Sequence, residues 1–283
     1  MRERLIPTRH LRHAGVLVFV AVALAGSAAS ERPAHVRDWA LLQVAFGHTG
    51  RFELGDGRRA YLNTNSTIHL LRMPGVTVVA VGGGETYFDG DGTQPLSVLA
   101  NGATLRTAGN ARFSVRVRDA GRTDVLVAAG SVEIGRTGRQ SGGWLAAALP
   151  FAADSVRLEA GEAASVDAQG LYAKRTIAAD TLTHKLAWKD GWLWFGNEPL
   201  SEALERFNSY NIKQLVLADP RLYALRVGGR FHPTEPESFI ASLRLVFGVR
   251  ATAGVPPSSD SNSVYLRGGC AGKLRRCDTA MVQ

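Results

Sequence analysis

Phe113, Val115 and Val117 alternate with Ser114, Arg116 and Arg118. A period of two puts the apolar residues on one face of a strand and the polar ones on the other. Comparable β-rich runs recur from about residue 41 to residue 168. Residues 51–54 and 59–62 flank Gly55-Asp56-Gly57, which has the chemistry of a hairpin turn. Met73-Pro74-Gly75 precedes the β-branched stretch 76–81, and Asp119-Ala120-Gly121 precedes another β-rich run, 124–134. Gly82-Gly83-Gly84 reads as a tight β-turn. It lacks the following Lys-Ser/Thr of a phosphate-cradling loop. Strands this closely spaced, with Gly-rich turns and no long helix, predict a mainly β domain over 41–178. Its form is an antiparallel sandwich or roll, or a short solenoid.

Beyond residue 178 the periodicity changes. Residues 192–195 (Trp-Leu-Trp-Phe) read as a strand, followed by Asn197-Glu198-Pro199, a helix start with Asn as cap and Pro in the first turn. Leu200, Ala203, Leu204 and Phe207 then fall at i, i+3, i+4 and i+7, one buried helical face. Residues 213–217 form the next strand. The order repeats: a strand over 227–231, a capping box of Thr234 and Glu237, and a helix whose stripe is Phe239, Ile240, Leu243, Val246 and Phe247. Gly248 is placed to end that helix. Strands at 249–252 and 264–266 close the pattern. Two β-α-β units in tandem predict a small α+β domain over 186–268, with a tail over 269–283.

One segment matches neither pattern. Residues 14–29 read AGVLVFVAVALAGSAA, with no charge, behind Arg2, Arg4, Arg9 and Arg12 against a single Glu3. A basic stub before an apolar run stays in the cytoplasm while the following chain is exported. Sixteen uncharged residues rise about 24 Å as a helix, short of a hydrocarbon core of roughly 30 Å. Ser27 and Ala29 also suit an A-x-A-like cleavage site. Residues 1–13 are therefore a cytoplasmic stub, and 14–30 either a signal anchor or a signal peptide. The expected location is the inner membrane, single-pass with the bulk in the periplasm, or the soluble periplasm after cleavage.

Composition narrows the function classes. The chain has 283 residues and a net charge of +8, of which the stub supplies three. The rest is scattered, which argues against nucleic-acid binding by the exported part. The only cysteines, Cys270 and Cys277, sit in the tail and could form a disulfide in an oxidising compartment, or remain free thiols. Enzyme chemistry finds no support: the seven histidines form no HExxH pair, and no G-x-S-x-G elbow occurs. No catalytic, metal or cofactor residues are assigned. Trp188, Trp192 and Trp194 could form a stacking platform, but anchoring the small domain's core is the better reading. Glu202 and Glu205 lie on the solvated face of their helix.

Several short elements, in order, resemble those of a known family. Leu54-Gly55-Asp56-Gly57-Arg58 with Tyr61-Leu62-Asn63-Thr64-Asn65-Ser66 resembles the LxDGSxVxLNxxS element of the FecR family, iron-dicitrate-sensor-like regulators of extracytoplasmic-function (ECF) sigma factors. Gly84-Glu85-Thr86-Tyr87-Phe88 resembles its GEAxF element. Phe113-Ser114-Val115 and Gly130-Ser131-Val132 resemble the paired strands that follow, and Leu158-Glu159-Ala160-Gly161-Glu162 a later turn. Trp188-Lys189-Asp190-Gly191 and Glu198-Pro199-Leu200 are similar to its AW+DG and xPLxE elements. Residues 192–268 resemble its C-terminal domain, which is like the N-terminal domain of secretins and TonB-dependent receptors (STN-like).

The resemblance implies a periplasm-facing transducer working by protein contact. Its partners would be the signalling domain of a TonB-dependent outer-membrane transporter and an ECF sigma factor. Members of the family usually carry a helical cytoplasmic domain before the membrane segment, and thirteen residues cannot bury such a core. Sigma-factor contact is thus expected directly or through a separate cytoplasmic anti-sigma partner. A cleaved periplasmic binding or scaffold module without sigma control is the alternative. The expected partner-binding residues lie on the second β-α-β unit: Arg230, Phe231, Glu237, Phe239, Ile240 and Leu243.

Overall fold

The structure is a computed structural model and describes residues 38–136, 155–253 and 262–269, apart from 56, 91, 93, 108, 119, 120, 168 and 169. The apolar run at 14–29 and both tail cysteines lie outside the described residues. No helix among the described residues is long and apolar enough to cross a membrane.

Fourteen strands form two seven-stranded sheets. One is ordered β1 (Asp38–Val44), β4 (Ser66–Met73), β5 (Val76–Gly83), β7 (Leu96–Ala100), β8 (Ala103–Thr107), β11 (Ser131–Arg136) and β12 (Val156–Glu159). The other is ordered β14 (Gly170–Thr176), β13 (Glu162–Asp167), β10 (Thr123–Ala129), β9 (Arg112–Val117), β6 (Glu85–Asp89), β3 (Arg59–Leu62) and β2 (Gly50–Glu53). Neighbours run antiparallel except the parallel pair β5–β7. The inward residues of both sheets share one apolar core. Ile68, Val79, Val98 and Leu105 come from the first sheet, and Leu62, Phe88, Phe113 and Val125 from the second. Phe88 stacks on Phe113 at 5.1 Å between centroids. Of the expected β architectures, the sandwich is the one present.

The chain passes repeatedly from one sheet to the other, and this refines two readings. The tight β-turn expected at Gly82-Gly83-Gly84 reduces to Gly84, because Gly82 and Gly83 belong to β5 and β6 joins the other sheet. Gly84 turns the corner with φ +74, and a Cβ there would stand 2.7 Å from Ser66 Cα. The run 124–134 is likewise two strands, β10 and β11, divided at Gly130 between the sheets.

The C-terminal α+β unit follows. Helix α1 (Ala179–Leu186), which no periodicity signalled, leads to a 3-10 turn (Ala187–Asp190) ended by Gly191 at φ +81. β15 (Leu193–Pro199), α2 (Leu200–Asn208) and β16 (Gln214–Leu217) make the first β-α-β unit. β17 (Arg226–Phe231), α3 (Pro236–Phe247) and β18 (Arg250–Ala253) make the second, and β19 (Ser263–Arg267) closes the fold. β15 pairs with β17, while β19 lies between β16 and β18. Four phenylalanines, Phe195, Phe207, Phe231 and Phe239, form the centre, with Phe207 and Phe239 stacked at 4.4 Å.

The helix faces agree with the sequence pattern, but the N-terminal caps do not. Leu200, Ala203, Leu204 and Phe207 are all buried. Asn197 does not cap α2: it sits in β15 at a bulge, with φ +84, and the cap residue is Pro199. The box of Thr234 and Glu237 does not form, since α3 starts after Glu235 with no side-chain cap bond. Val246 is 55% exposed and leaves the buried stripe. Gly248 ends α3 with φ +67.

Candidate functional site

The outer face of the second sheet is where the sandwich meets the α+β unit. Because inward residues of β9 alternate with outward ones, Ser114 and Arg116 point away from the core. The pairing aligns them in two adjacent rungs. One runs Tyr61, Tyr87, Ser114, Leu126, Ala163, Arg175. The next runs Glu85, Arg116, Asp124, Ser165. The second rung thus places a cation between two carboxylates, the favourable cross-strand order.

Glu85 is the polar centre of this junction. Its Oε1 accepts from Ser114 Oγ at 2.8 Å and from Trp188 Nε1 at 3.1 Å, and its Oε2 from Asn63 Nδ2 at 3.2 Å. The Trp188 bond crosses from the α+β unit to the sandwich. Two more crossings lie alongside: the buried Tyr210 hydroxyl donates to Asn63 Oδ1, and Thr64 Oγ1 donates to the Ser209 carbonyl at 3.0 Å. Burial pushes the Tyr210 hydroxyl pKa up, with the Glu85 charge adding to it. Tyr87 packs into the core of the α+β unit, and burial, then Asp89, raises its pKa to about 12. Both phenols are thus held neutral, and Tyr210 is the one that donates across the seam. Short segments 103 residues apart, around Glu85 and around Trp188, are thereby fastened together.

Beside these bonds the two parts enclose a cleft of about 460 Å³. Its charged lining comprises Arg116, Arg118, Arg175, Lys185 and Arg206 against Glu85 and Asp124. Asp124 accepts from Ser165 Oγ at 2.7 Å and is paired with Arg118, and its pKa lies below the usual carboxylate range, where these two bonds overcome the opposing effect of burial. Arg206 donates to the Trp194 carbonyl at 3.0 Å and the His184 carbonyl at 3.3 Å, near Glu198 at 3.9 Å. No group of three or more His, Cys, Asp or Glu side chains gathers to hold a metal among the described residues.

The expected partner-binding residues divide by depth. Arg230 and Glu237 are exposed, Phe231 and Ile240 are half-buried, and Phe239 and Leu243 lie in the core. Phe239 and Leu243 therefore support the surface from beneath without forming it. The tryptophans also differ from expectation. Period two turns Leu193 and Phe195 into the core, leaving Trp192 and Trp194 half-exposed on the other face. Arg230 lies 4.0 Å over Trp192, His232 packs 4.1 Å from the same ring, and His184 lies 4.3 Å from Trp194. With its neighbours already occupied by side chains, this face is a packed cation–aromatic surface, not an open platform. Among the three, Trp188 alone is buried. The cleft residues Asn63, Glu85, Arg175, Lys185, Arg206 and Tyr210 were not singled out as a site from sequence. The signals touching them were the polar half of the β9 alternation and the place of Asn63 and Glu85 in elements that resemble the FecR family.

No protein-family model and no curated protein matches the chain. Among solved structures, two crystal structures of a "putative anti-sigma factor" from Parabacteroides distasonis resemble it. Both are 20% identical and cover 81% of this chain, and they are covered over 98% and 99% of their own length, with TM-scores of 0.56 and 0.57. The likeness takes in both the sandwich and the α+β unit. At this identity it is a likeness of fold.

Proposed function

We propose that this chain is a sigma-factor regulator of the FecR kind, acting by protein contact. The observation that carries the reading is the architecture: a fourteen-stranded sandwich joined to a unit of two β-α-β repeats, matched over 81% of the chain by structures of a "putative anti-sigma factor". The ordered elements from Leu54 to Leu200 that resemble the FecR family give independent support from sequence. In this reading the chain faces the periplasm from a single-pass anchor at 14–30. It relays the state of a TonB-dependent transporter toward an ECF sigma factor, directly or through a cytoplasmic anti-sigma partner.

The α+β unit offers a physical route for partner contact. β15 is covered on its free side, where Arg206 holds the Trp194 carbonyl and Glu198 accepts from the Gly196 amide, while β17 pairs only with β15 among the described residues, which leaves its other edge without a strand. A partner strand could add there through backbone hydrogen bonds, with Arg230 and the tryptophan face setting selectivity. Deleting the coding sequence and profiling transcripts tests the regulatory reading. The expected result is a changed set of genes under one ECF sigma factor, restored by the full chain but not by its Arg230→Glu variant. An unchanged profile under every envelope condition that activates such factors would overturn it. N-terminal sequencing of the mature protein reads the location: an intact Arg2 supports the anchor, and a start near Ser30 supports a released module.

A further inference from the structure

The cleft between the sandwich and the α+β unit holds more positive charge than its own carboxylates use. Five cations line it against two acids. Both acids are already engaged: Glu85 takes three donors, and Asp124 is held by Ser165 and Arg118. Arg118 is matched by Asp124, and Arg206 by two carbonyls and Glu198. Arg116, Arg175 and Lys185 remain, and none has a side-chain hydrogen bond or ion pair among the described residues. Arg116 has Glu85 and Asp124 as cross-strand neighbours, but their oxygens are turned to other donors.

We propose that this cleft binds a small polyvalent oxyanion, with Arg175, Lys185 and Arg116 as its ligating groups. The volume of about 460 Å³ lies within the range of small-molecule sites, roughly 300–1,000 Å³. Two guanidinium forks and an ammonium are the groups that recognise phosphate or carboxylate oxygens, and converging on one cleft they suit an anion of two or more charges. The groups come from different elements: Arg116 from β9, Arg175 from β14, and Lys185 from α1. An anion held among them bridges the sandwich and the α+β unit.

The cations that line the cleft repel one another, which agrees with a site shaped for an anion. The Lys185 side chain reaches the surface, but its amine is partly withdrawn from water and the Arg206 and Arg175 cations stand close by, so its pKa is lowered. An oxyanion would relieve that repulsion. The inference stands apart from the sigma-factor reading, because it requires only the cleft.

Isothermal titration calorimetry and thermal melts of the full chain test it, with inorganic phosphate, pyrophosphate and tricarballylate as probes. The phosphate and tricarboxylate arms separate the two oxygen chemistries. Saturable one-site binding of either class is expected, with a raised melting temperature. The Arg175→Gln/Lys185→Gln double variant should bind at least about tenfold more weakly. Both side chains are exposed and make no side-chain hydrogen bond or ion pair among the described residues, so this variant should still fold, with an unchanged circular-dichroism spectrum. Arg244→Gln, on the exposed side of α3, should bind like the parent. The proposal fails if no probe saturates at millimolar concentration. It fails equally if sodium chloride of matched ionic strength gives the same melting shift, or if the double variant binds as tightly as the parent.

Discussion

The bond between Tyr210 and Asn63 joins residues 147 positions apart and can be isolated by a double-mutant cycle. Tyr210→Phe deletes one neutral hydrogen bond. The Asn63 Oδ1 it leaves behind still accepts from the Thr64 amide at 2.8 Å, so no acceptor is orphaned. The cost should be that of an ordinary hydrogen bond, about 1 kcal/mol. Asn63→Ala does more damage. It strands the hydroxyl of Tyr210, a residue only 5% exposed, and also removes the Nδ2 donor of the Glu85 carboxylate. An unsatisfied buried hydroxyl and a lost charge-assisted bond together should cost about 3–5 kcal/mol. In the double variant the stranded hydroxyl is gone, so the sum of the single effects overshoots by about 1–2 kcal/mol. Urea unfolding followed by tryptophan fluorescence reads this, since Trp188, Trp192 and Trp194 all lie in the C-terminal half. Additivity within about 0.3 kcal/mol would refute the contact, and with it the account of how the α+β unit is fastened to the sandwich.

Phe207→Ala removes a fully buried ring stacked on Phe239 and should cost about 4 kcal/mol, read as a lost or strongly shifted fluorescence transition. Asp219 binds the Arg221 guanidinium and the amides of Arg221 and Gly268, and the guanidinium above all holds its pKa near about 2. A depressed folded pKa contributes stability that is present above the unfolded value near about 4 and is lost as pH falls toward 2. Asp219→Asn should therefore lower the urea midpoint at pH 7 and flatten its decline over pH 4 to 2. Lys185 has the same slope in a different pH window, but at pH 7 its charge costs stability where the Asp219 charge supplies it. Its lowered pKa means that the unfolded chain binds more protons just below the ordinary lysine value, so stability rises with pH there. Lys185→Gln should leave the protein as stable or more stable at pH 7 and remove that alkaline rise, while weakening oxyanion binding.

The elements were legible because their hydrophobic periods are clean. The alternation around Phe113 gives β9, and the four-residue stripe from Leu200 to Phe207 gives α2, each with the buried face that the structure contains. What failed or stayed open were features decided by a second element. Asn197 has the side chain of a helix cap, yet pairing with β17 carries β15 through to Pro199 and draws Asn197 into a bulge. Gly82-Gly83-Gly84 has turn chemistry, but whether such a turn makes a hairpin or a corner depends on which sheet the next strand joins. Helix α1 carried no signal, because Leu182 and Leu186 are its main apolar side chains against the core. The cleft was hidden for the same reason. Ser114, Arg116 and Asp124 read as the solvated face of strands, and nothing local reveals that another unit covers that face.

That covering has a mechanical consequence. The seam between the sandwich and the α+β unit combines a few hydrogen bonds centred on Glu85 and Asn63 with an apolar contact in which Tyr61, Tyr87, Leu126 and Ala128 pack against the α+β core. Seams of this mixed kind resemble interfaces between domains that can move relative to one another. A relay needs an element with two arrangements and a ligand that distinguishes them. An oxyanion among Arg116, Arg175 and Lys185 meets the second condition, because its contacts come from both sides and exist together only when the seam is closed. A partner strand on β17 would act on the same unit, since Phe231 of β17 packs on Phe207 of α2, and α2 leads into the seam residues Ser209 and Tyr210. The two ends of such a relay are thus linked through one helix.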